Sequence, residues 1–496
     1  MDLYASPKTT WGIVLTGGLS PNNDASPVYS LLYDKNRVLD TTVSTFNTSK
    51  NKFNNGGINL NYTHKYDSTG RSLTFDLDYI RDISGSDQTF VNNTLLANGS
   101  LVNSQTIDDN LPASINIYAA KADYSHPLKG KAKFEAGVKS SYVNTDNAAN
   151  YFNLINNINT IDYNNTNRFI YRENINAAYV NFNKTFNRFA LQTGLRVENT
   201  NGNGHQLGNA QKADSTFVNH YTDLFPTAYF SYKLDTAGHD LLILSYGRRI
   251  GRPSYSSLNP FTFFVDKFTD FSGNPFLKPQ FTDIYKLAYS YKSLFTFALT
   301  YNYTTDVQGE TIHRIGDVFV STTGNIGLRK QLDFSVNTSL HPTKWWTANI
   351  YAEVYSNTYQ GPFYSGYLNQ TANTFSSNAN NQFTFTNGWS AELSGFFNTS
   401  GTYGQFVPIA TGMLNAGVQK KVLNNKGSIR FNMRDILKSF SPSGSITNIP
   451  GATSTYHNNL DTRVATLSFS YNFGKSINNP QKRNVGSADS EQGRAH

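Results

Sequence analysis

The chain has 496 residues, of which 38% are hydrophobic, 15% charged and 14% aromatic, and its net charge is +8. Soluble proteins average about 45–50% apolar and about 25% charged residues, so this composition argues against several ordinary soluble domains. The absence of cysteine excludes disulfide scaffolds, cysteine zinc sites and thiol nucleophiles, and no apolar run approaches the ~20 residues that a membrane helix needs.

Strict alternation of apolar and polar residues predicts β-strands with one apolar and one wet face. In the clearest instance, Phe297, Leu299 and Tyr301 point to one side, while the residues between them are small or polar. Few stretches show the spacing of a helix. In chain order, the alternating segments are 73–79, 295–303, 332–340, 429–434 and 465–473.

The connections between these segments alternate in length, which distinguishes a barrel from a sandwich. Short turns are predicted at 67–70, 127–130, 186–188, 235–238, 292–294, 342–344, 387–388 and 424–427. Long polar loops, rich in Asn, Ser, Thr and Gly, are predicted at 83–112, 145–168, 200–222, 251–281, 361–380 and 437–461. Short turns at one end and long loops at the other are typical of a bacterial outer-membrane β-barrel, whose strands cross in about 10 residues.

Aromatic placement and composition favour the same architecture. Trp345, Trp346 and Trp389 flank short turns, where the periplasmic aromatic girdle of such a barrel lies; the alternative is that aromatic residues simply favour strands. A barrel with a polar lumen needs apolar residues on one strand face only, which explains the low hydrophobic content. A sandwich would need a second apolar layer, which the sequence lacks.

We count about 19 strands, whereas single-chain bacterial barrels have even numbers. If the last strand runs down to the periplasm, the first strand, at about residues 8–19, also runs down. A barrel conventionally starts with an upward strand. We therefore expect the barrel to be incomplete at its N-terminus.

Between Leu224 and Tyr291 the sequence contains LFPTAYFSYKL, then YGRRIGRPSYSSLNPF, then GNPFLKPQFTDIYKLAYSYK. These segments resemble the TonB-dependent receptor-like outer membrane protein β-barrel family of the Bacteroidota type. INLNYTHKYDSTGRSLTFDLDY, NIGLRKQLDFSVNTSLHPTKWWTANI and the terminal LSFSYNFGK are also similar to that family, so the resemblance covers nearly all of residues 50–474. The residues that carry it are Arg252, Pro253, Leu258, Asn259, Pro260, Phe261, Gly273, Asn274, Pro275, Leu277, Lys278 and Pro279.

The resemblance implies an all-β fold, a large antiparallel transmembrane barrel of 22 strands in the outer membrane of a Gram-negative bacterium. Barrels of this family are usually plugged from within by an N-terminal domain. The start, MDLYASPKTTWGIVLTGGLS, shows neither a signal peptide nor a plug-length segment. We therefore expect residues 1–474 to be the C-terminal barrel portion of a longer receptor, without a plug domain. The polar residues 475–496 are predicted to form a disordered periplasmic tail.

No motif of a catalytic, cofactor or metal site stands out. The nine histidines are scattered, and the sequence has no phosphate-binding loop, HExxH or GxSxG. Asp76 and Asp78 lie on one strand face and could do acid/base chemistry, but we interpret them, with Arg196, Glu198 and the Arg430 and Arg434 pair, as charged lumen lining. We expect no enzyme, no cofactor and, without a basic stripe, no nucleic-acid partner.

The segment 251–281 has two interpretations. It could be an extracellular loop that contacts substrate, with Phe261, Phe263, Phe264, Phe268 and Phe271 as contacts. The interpretation that we favour is structural: its Pro and Gly residues fix a compact loop at the barrel rim.

Two functions remain open. The first is TonB-dependent uptake of a large or scarce ligand, such as a metal chelate, glycan or peptide. Its partners would be the outer-membrane lipid, the extracellular ligand and, only through a plug, the TonB complex. The alternative is a plugless barrel that acts as a passive pore or as a structural, surface-binding protein.

Overall fold

The computed structural model describes residues 1–266, 269–316, 318–364, 366–449, 452, 454–474 and 486–495. Nearly all of the regular structure is β-strand. The only helices in the described ranges are a 3-10 turn, Thr386–Gly388, and one short α-helix, α1 (Asp489–Gln492). None of the helices in the described part of the chain has the length and apolar character needed to cross a membrane.

The strands are β1 (Asp2–Ser6), β2 (Thr9–Tyr33), β3 (Leu39–Lys65), β4 (Ser72–Leu96), β5 (Leu101–Asn110), β6 (Ala113–Leu128), β7 (Ala132–Ile155), β8 (Ile158–Ile161), β9 (Asn167–Thr185), β10 (Phe189–Leu207), β11 (Ser215–Lys233), β12 (Leu241–Gly251), β13 (Thr262–Asp266), β14 (Thr269–Ser272), β15 (Gln280–Tyr291), β16 (Phe295–Thr305), β17 (Gln308–Ile315), β18 (Val318–Asn325), β19 (Leu328–Thr343), β20 (Trp346–Phe363), β21 (Gly366–Thr384), β22 (Trp389–Asn398), β23 (Phe406–Pro408), β24 (Thr411–Val422), β25 (Gly427–Arg434), β26 (Ser443–Ile446), β27 (Ser454–His457) and β28 (Val464–Tyr471).

One sheet of 21 strands contains all the long strands. Each long strand pairs with the next one along the chain, and every one of these pairings is antiparallel, from β2 with β3 to β25 with β28. The sheet is therefore a meander, the topology that short connections allow. Within the part of the chain that the structure describes, no pairing joins the edge strands β1 and β28.

The register gives the sheet two unlike faces, as the alternation predicts. Leu299 lies opposite Leu287 on one side and Phe334 on the other, and all three are exposed. The adjacent Thr300 lies opposite Lys286 and Asp333 on the other face. We call the apolar, exposed face the outer face and the polar face the inner face.

The predicted short turns are confirmed. All eight lie between consecutive long strands, at the same end of the sheet. Aromatic rings line this end on the outer face: the ring centroids of Trp11 and Tyr62 are 4.6 Å apart, and those of Phe186 and Phe189 are 4.2 Å apart. Trp345 and Trp389 are half-exposed beside their turns. This is the arrangement of an interfacial aromatic girdle.

The prediction of long loops was wrong in four of six places. The stretches 83–112, 145–168, 200–222 and 361–380 are mostly strand, because the long strands continue as hairpins well past the predicted ~10 residues; β3 has 27. Outside the hydrocarbon layer neither face of a strand has to be apolar, so these hairpins lose the alternation that identifies a strand.

The predicted direction of the first long strand was also wrong. All but the first residue of the predicted strand 8–19 lie in β2, which begins at the short-turn end and runs opposite to the last strand, β28. The strand that runs in the same direction as β28 is the five-residue β1, which pairs with β2 through Leu3 and Trp11. The alternation in 2–6 is too short to have been recognised.

Two small sheets lie at the end opposite the short turns. The first has the order β13-β14-β18-β17, in which β14 and β18 are parallel, and it joins segment 251–281 to the hairpin that follows β16. The second, β23-β26-β27, is formed within the connections around β24 and β25. These sheets fix the positions of the connections at this end.

The two faces of the sheet predict that an added charge destabilises the protein on the outer face but not on the inner face. Replacing Leu299 by Arg puts a cation on the apolar face, which costs about 2–4 kcal/mol in a membrane barrel. The matched variant, Asn302→Arg, puts the same group on the inner face of the same strand, where it stays hydrated. We expect the urea midpoint of folding in lipid vesicles to fall for the first variant only; equal losses would contradict the assignment of faces.

Candidate functional site

The outer face stops being apolar partway along the strands. On β4 its side chains change from Leu77 and Tyr79 to Gly85 and Asp87, and on β10 they change from Val197 to Asn199. A hydrocarbon layer ends where outward side chains become polar. The parts of β4, β6, β7, β9 and β10 beyond this level therefore form a wall outside the layer.

A hydrophobic core packs on the inner side of this wall. It combines side chains from the wall, such as Ile117, Val143 and Phe169, with side chains of segment 251–281. A sheet face that meets water needs no such core, so segment 251–281 folds inward onto the wall. The fully or nearly fully buried members from the segment are Tyr255, Leu258, Phe261 and Leu277.

The structure brings the twelve predicted motif residues together in this inward-folded segment. Arg252, Pro260, Gly273, Asn274 and Pro275 are half-buried, Lys278 is exposed, and the others (Pro253, Leu258, Asn259, Phe261, Leu277 and Pro279) are buried. Of the aromatic contacts predicted for substrate, Phe261 belongs to the core, Phe263 and Phe271 pair across β13 and β14, and Phe268 lies outside the described residues.

A backbone network explains the glycine and asparagine of the motif. Asn274 donates its N–H to the Ser257 carbonyl at 2.7 Å, and its side-chain oxygen accepts the N–H of Phe276 at 3.0 Å. At Gly273 an added Cβ would lie 2.0 Å from the Asn259 carbonyl oxygen. The two halves of the motif therefore approach each other as closely as their backbones allow.

Arg252 anchors the segment to the wall. Its Nη2 donates to Glu198 Oε2 at 2.6 Å and to Thr200 Oγ1 at 3.1 Å, and its Nε donates to the Tyr221 hydroxyl at 3.2 Å. Arg196 pairs with the other oxygen of Glu198. Burial acts to lower the pKa of Arg252, but Tyr221 and Glu198 outweigh it and raise that pKa above its ordinary value.

The end of the chain occupies the same site. Gly486–Ala495 is ordered around α1, and its contacts reach the inner face of β4, β7 and β9 and segment 251–281. This differs from the predicted disordered tail, whose residues 475–485 lie outside the described ranges. These residues are ordered because Glu491 forms an ion pair with Lys139 and Arg494 forms one with Glu173. Composition alone does not reveal such pairs.

The sequence patterns do not single out the wall residues that hold the terminal residues 486–495, chiefly Lys139 and Glu173. Alternation was the signal that could have identified them, since Tyr171, Glu173 and Ile175 share one strand face. Asp78, which was predicted as lumen lining, lies on the inner face and accepts from Asn59 at 2.9 Å. In the described ranges, no group of three or more His, Asp or Glu side chains is arranged to hold a metal ion.

Asp109 is a buried carboxyl in the β4–β5 hairpin, beyond the apolar band. It lies opposite Gln88 and Tyr151 and is 5% exposed. Burial, with the nearby charges of Asp87 and Asp108, raises the pKa of Asp109 from 3.8 to about 7. The hairpin therefore holds a group that changes charge near neutral pH.

An apolar outer face with an aromatic girdle, a polar inner face and inward-folded connections at one end define an outer-membrane β-barrel. The model of the outer membrane protein beta-barrel family matches residues 64–471, and the chain belongs to that family. The structure places the predicted motif on the inner side of the wall rather than at an exposed loop tip.

Solved transport receptors share the fold. The ferric yersiniabactin uptake receptor FyuA from Yersinia pestis is similar with a TM-score of 0.54 at 10% identity, covering 94% of this chain and 78% of that chain. The ferric-catecholate import receptor Fiu from Escherichia coli K12 gives 0.53 at 11%, covering 94% and 80%. The siderophore receptor PiuA from Acinetobacter baumannii gives 0.52 at 10%, covering 94% and 82%. A search of the curated proteins returned no match to this sequence.

These findings support an outer-membrane β-barrel in a Gram-negative bacterium. The similar structures are themselves transport proteins. The identities of about 10% show the fold alone.

Gly273 provides a test of the motif. Gly273→Ala forces the Asn259 carbonyl to move, and overpacking of this kind costs about 1–3 kcal/mol. The matched variant is Gly85→Ala, where an added Cβ meets nothing within 4 Å. Limited proteolysis of segment 251–281 should accelerate for the first variant alone; equal protection in both would contradict the close approach.

The raised pKa of Asp109 predicts a pH dependence with a defined sign. Because the carboxyl binds its proton more tightly in the folded hairpin, the stability it contributes is present near pH 4 and is lost as the pH rises through about 7. Asp109→Asn removes this loss, worth about 2–4 kcal/mol. Hydrogen exchange of residues 87–110 should be slower in the variant than in the wild type at pH 8, and this difference should shrink toward zero as the pH falls to about 4. A difference that does not change with pH would contradict the assignment.

Proposed function

We propose that the chain forms the wall of a TonB-dependent transporter, which takes up a large or scarce ligand, such as a metal chelate, glycan or peptide, across the outer membrane. A plug domain held inside the barrel would receive energy from the TonB complex. The extracellular connections would capture the ligand.

The observation that carries this proposal is the inward fold of segment 251–281. A passive pore is served by an open lumen, whereas here a segment of about thirty residues is anchored to the wall through Arg252 and Glu198 and buries a hydrophobic core inside it. An obstructed interior is useful to a protein that admits a ligand through regulated movement.

The inner face also suits a wall that meets a removable domain. It carries paired charges, such as Glu392 with Arg430 at 2.8 Å. Because such ion pairs are already satisfied by each other and by water, they contribute little to holding a neighbouring domain, and that domain can leave the wall. The likeness in fold to import receptors of ferric chelates supports the choice of transport over a structural role.

Uptake assays in the source bacterium test the proposal. Labelled metal chelates, oligosaccharides and peptides are offered to the wild type, to a strain without this gene and to a strain without TonB. We expect saturable uptake of one ligand class, lost in both mutant strains and restored by the gene.

The outcome that would contradict transport driven by TonB is uptake that rises linearly with solute concentration, depends on solute size and persists without TonB. That result would establish the passive pore. The control is the amount of folded protein in the outer membrane, measured by its heat-sensitive migration on SDS gels, which must be equal in the wild-type and TonB-free strains.

A further inference from the structure

The last described residues of the chain lie in a pocket formed by parts of the sequence far from them. Arg494 contacts Glu173 and Pro253, which are 321 and 241 positions away, and Ser487 donates its N–H to Asp78, 409 positions away. We call Gly486–Ala495 the terminal segment. Ala488, near its beginning, is fully buried in the hydrophobic core on the wall.

The side chain of Arg494 is held on three sides. Its two terminal nitrogens donate to the two oxygens of Glu173, one at 3.2 Å and the other closer. Its Nε donates to the Pro253 carbonyl at 2.8 Å, and its guanidinium carbon lies 4.2 Å from the ring centroid of Tyr255. We call this arrangement the guanidinium pocket.

Two further contacts fix the direction of the terminal segment. Glu491, which is 2% exposed, accepts from Lys139 Nζ and from Ser141 Oγ, each at 2.8 Å. At the other side of the pocket, the Tyr255 N–H donates to the Arg494 carbonyl at 3.1 Å. The pocket therefore recognises a peptide backbone as well as one side chain.

Because Glu173 is a buried carboxylate, the guanidinium pocket is stable only when a cation pairs with it. It is 2% exposed, and besides Arg494 it accepts from the hydroxyls of Tyr171 at 3.0 Å and Tyr255 at 3.5 Å. A buried carboxylate that loses its cation is strongly destabilised. When the terminal segment leaves, another cation has to replace Arg494 or water has to enter.

The geometry selects arginine over lysine. A guanidinium is planar, makes two parallel hydrogen bonds to a carboxylate and stacks on an aromatic ring, and its Nε remains free for a third acceptor. A lysine ammonium is a single point charge, which cannot reach Glu173 and the Pro253 carbonyl with the same spread of donors.

The terminal segment can leave without unfolding the barrel. It belongs to no strand, and α1 has only four residues, too few to be stable as an isolated helix. Its release breaks the contacts described above, including the backbone hydrogen bond from Tyr255 to Arg494, but no hydrogen bond of the 21-stranded sheet.

From these contacts we infer that the guanidinium pocket is a binding site for an arginine-containing peptide, and that the terminal segment is its exchangeable ligand within the same chain. The site is independent of transport, because it is defined by residues of this chain alone. A peptide that carries arginine in the matching position competes with the terminal segment and displaces it.

Engineered cysteines test this exchange in the full chain, which has no cysteine of its own. Ala488→Cys and Ala495→Cys place thiols at the buried and half-buried ends of the terminal segment, and Asp489→Cys is the exposed control. The reaction rate with a water-soluble maleimide is measured on purified protein in detergent. The added probes are the peptide GSADSEQGRA, which copies residues 486–495, and its lysine analogue GSADSEQGKA.

We expect both reporters to react at least about tenfold more slowly than the control. The arginine peptide should raise their rates toward that of the control in a saturable manner, and the lysine analogue should not. Arg494→Lys, at the end of the chain where no strand is affected, should raise the rates without any peptide.

Three outcomes would overturn the inference. They are reporters that both react as fast as the control, an arginine peptide without effect, or two peptides with equal effect. The assay contains neither TonB nor a membrane, so a protein that fails to transport still gives an interpretable rate. A failure of this inference is thus distinguished from a failure of the proposed function.

Discussion

The structure depends on one constraint, which is that no backbone N–H or C=O group may be left unpaired in hydrocarbon. A meander of antiparallel strands satisfies it for the strands between the two edges of the sheet, by pairing each strand with its neighbours in the sequence. The same pairing also places apolar side chains next to one another on the outer face, as it places Leu299 between Leu287 and Phe334. Because only that face must be apolar, a chain with 38% hydrophobic residues can build a membrane wall.

The part of the fold that lies in the lipid could be predicted from the sequence because its rules are local. Alternation, as in Phe295–Tyr303, and the eight short turns each depend on a few neighbouring residues. The hairpin extensions could not be predicted, because residues such as Asp87 and Asn203 face water on both the loop and the strand interpretation. The wrong direction predicted for the first strand followed from an error in the predicted number of strands.

The candidate site could be predicted only in part. The motif between Arg252 and Pro279 is recognisable, and the close approach at Gly273 agrees with a compact loop. Its inward direction and its partners could not be predicted, since the contacts of Arg252 with Glu198 and of Arg494 with Glu173 join distant parts of the chain. Pairing of buried charges over such separations leaves no periodic signal.

Two buried glutamates of the wall, Glu173 and Glu198, determine where the inner segments lie. Glu198 fixes segment 251–281 through Arg252, and Glu173 joins that segment to the end of the chain through Arg494 and Tyr255. A buried carboxylate is tolerated only with a partner, so each ion pair specifies which segment lies where. The hydrophobic core then excludes water from these pairs.

The central claim is that alternate residues of each long strand face lipid and water. Nitroxide labels on single cysteines along β16 test it most directly, with collision rates measured against oxygen, which enters lipid, and a nickel chelate, which stays in water. The account predicts that labels at positions 297, 299 and 301 collide mainly with oxygen, and labels at 298, 300 and 302 mainly with the chelate. Equal access of the chelate to both sets, or a repeat of about 3.6 residues, would contradict it.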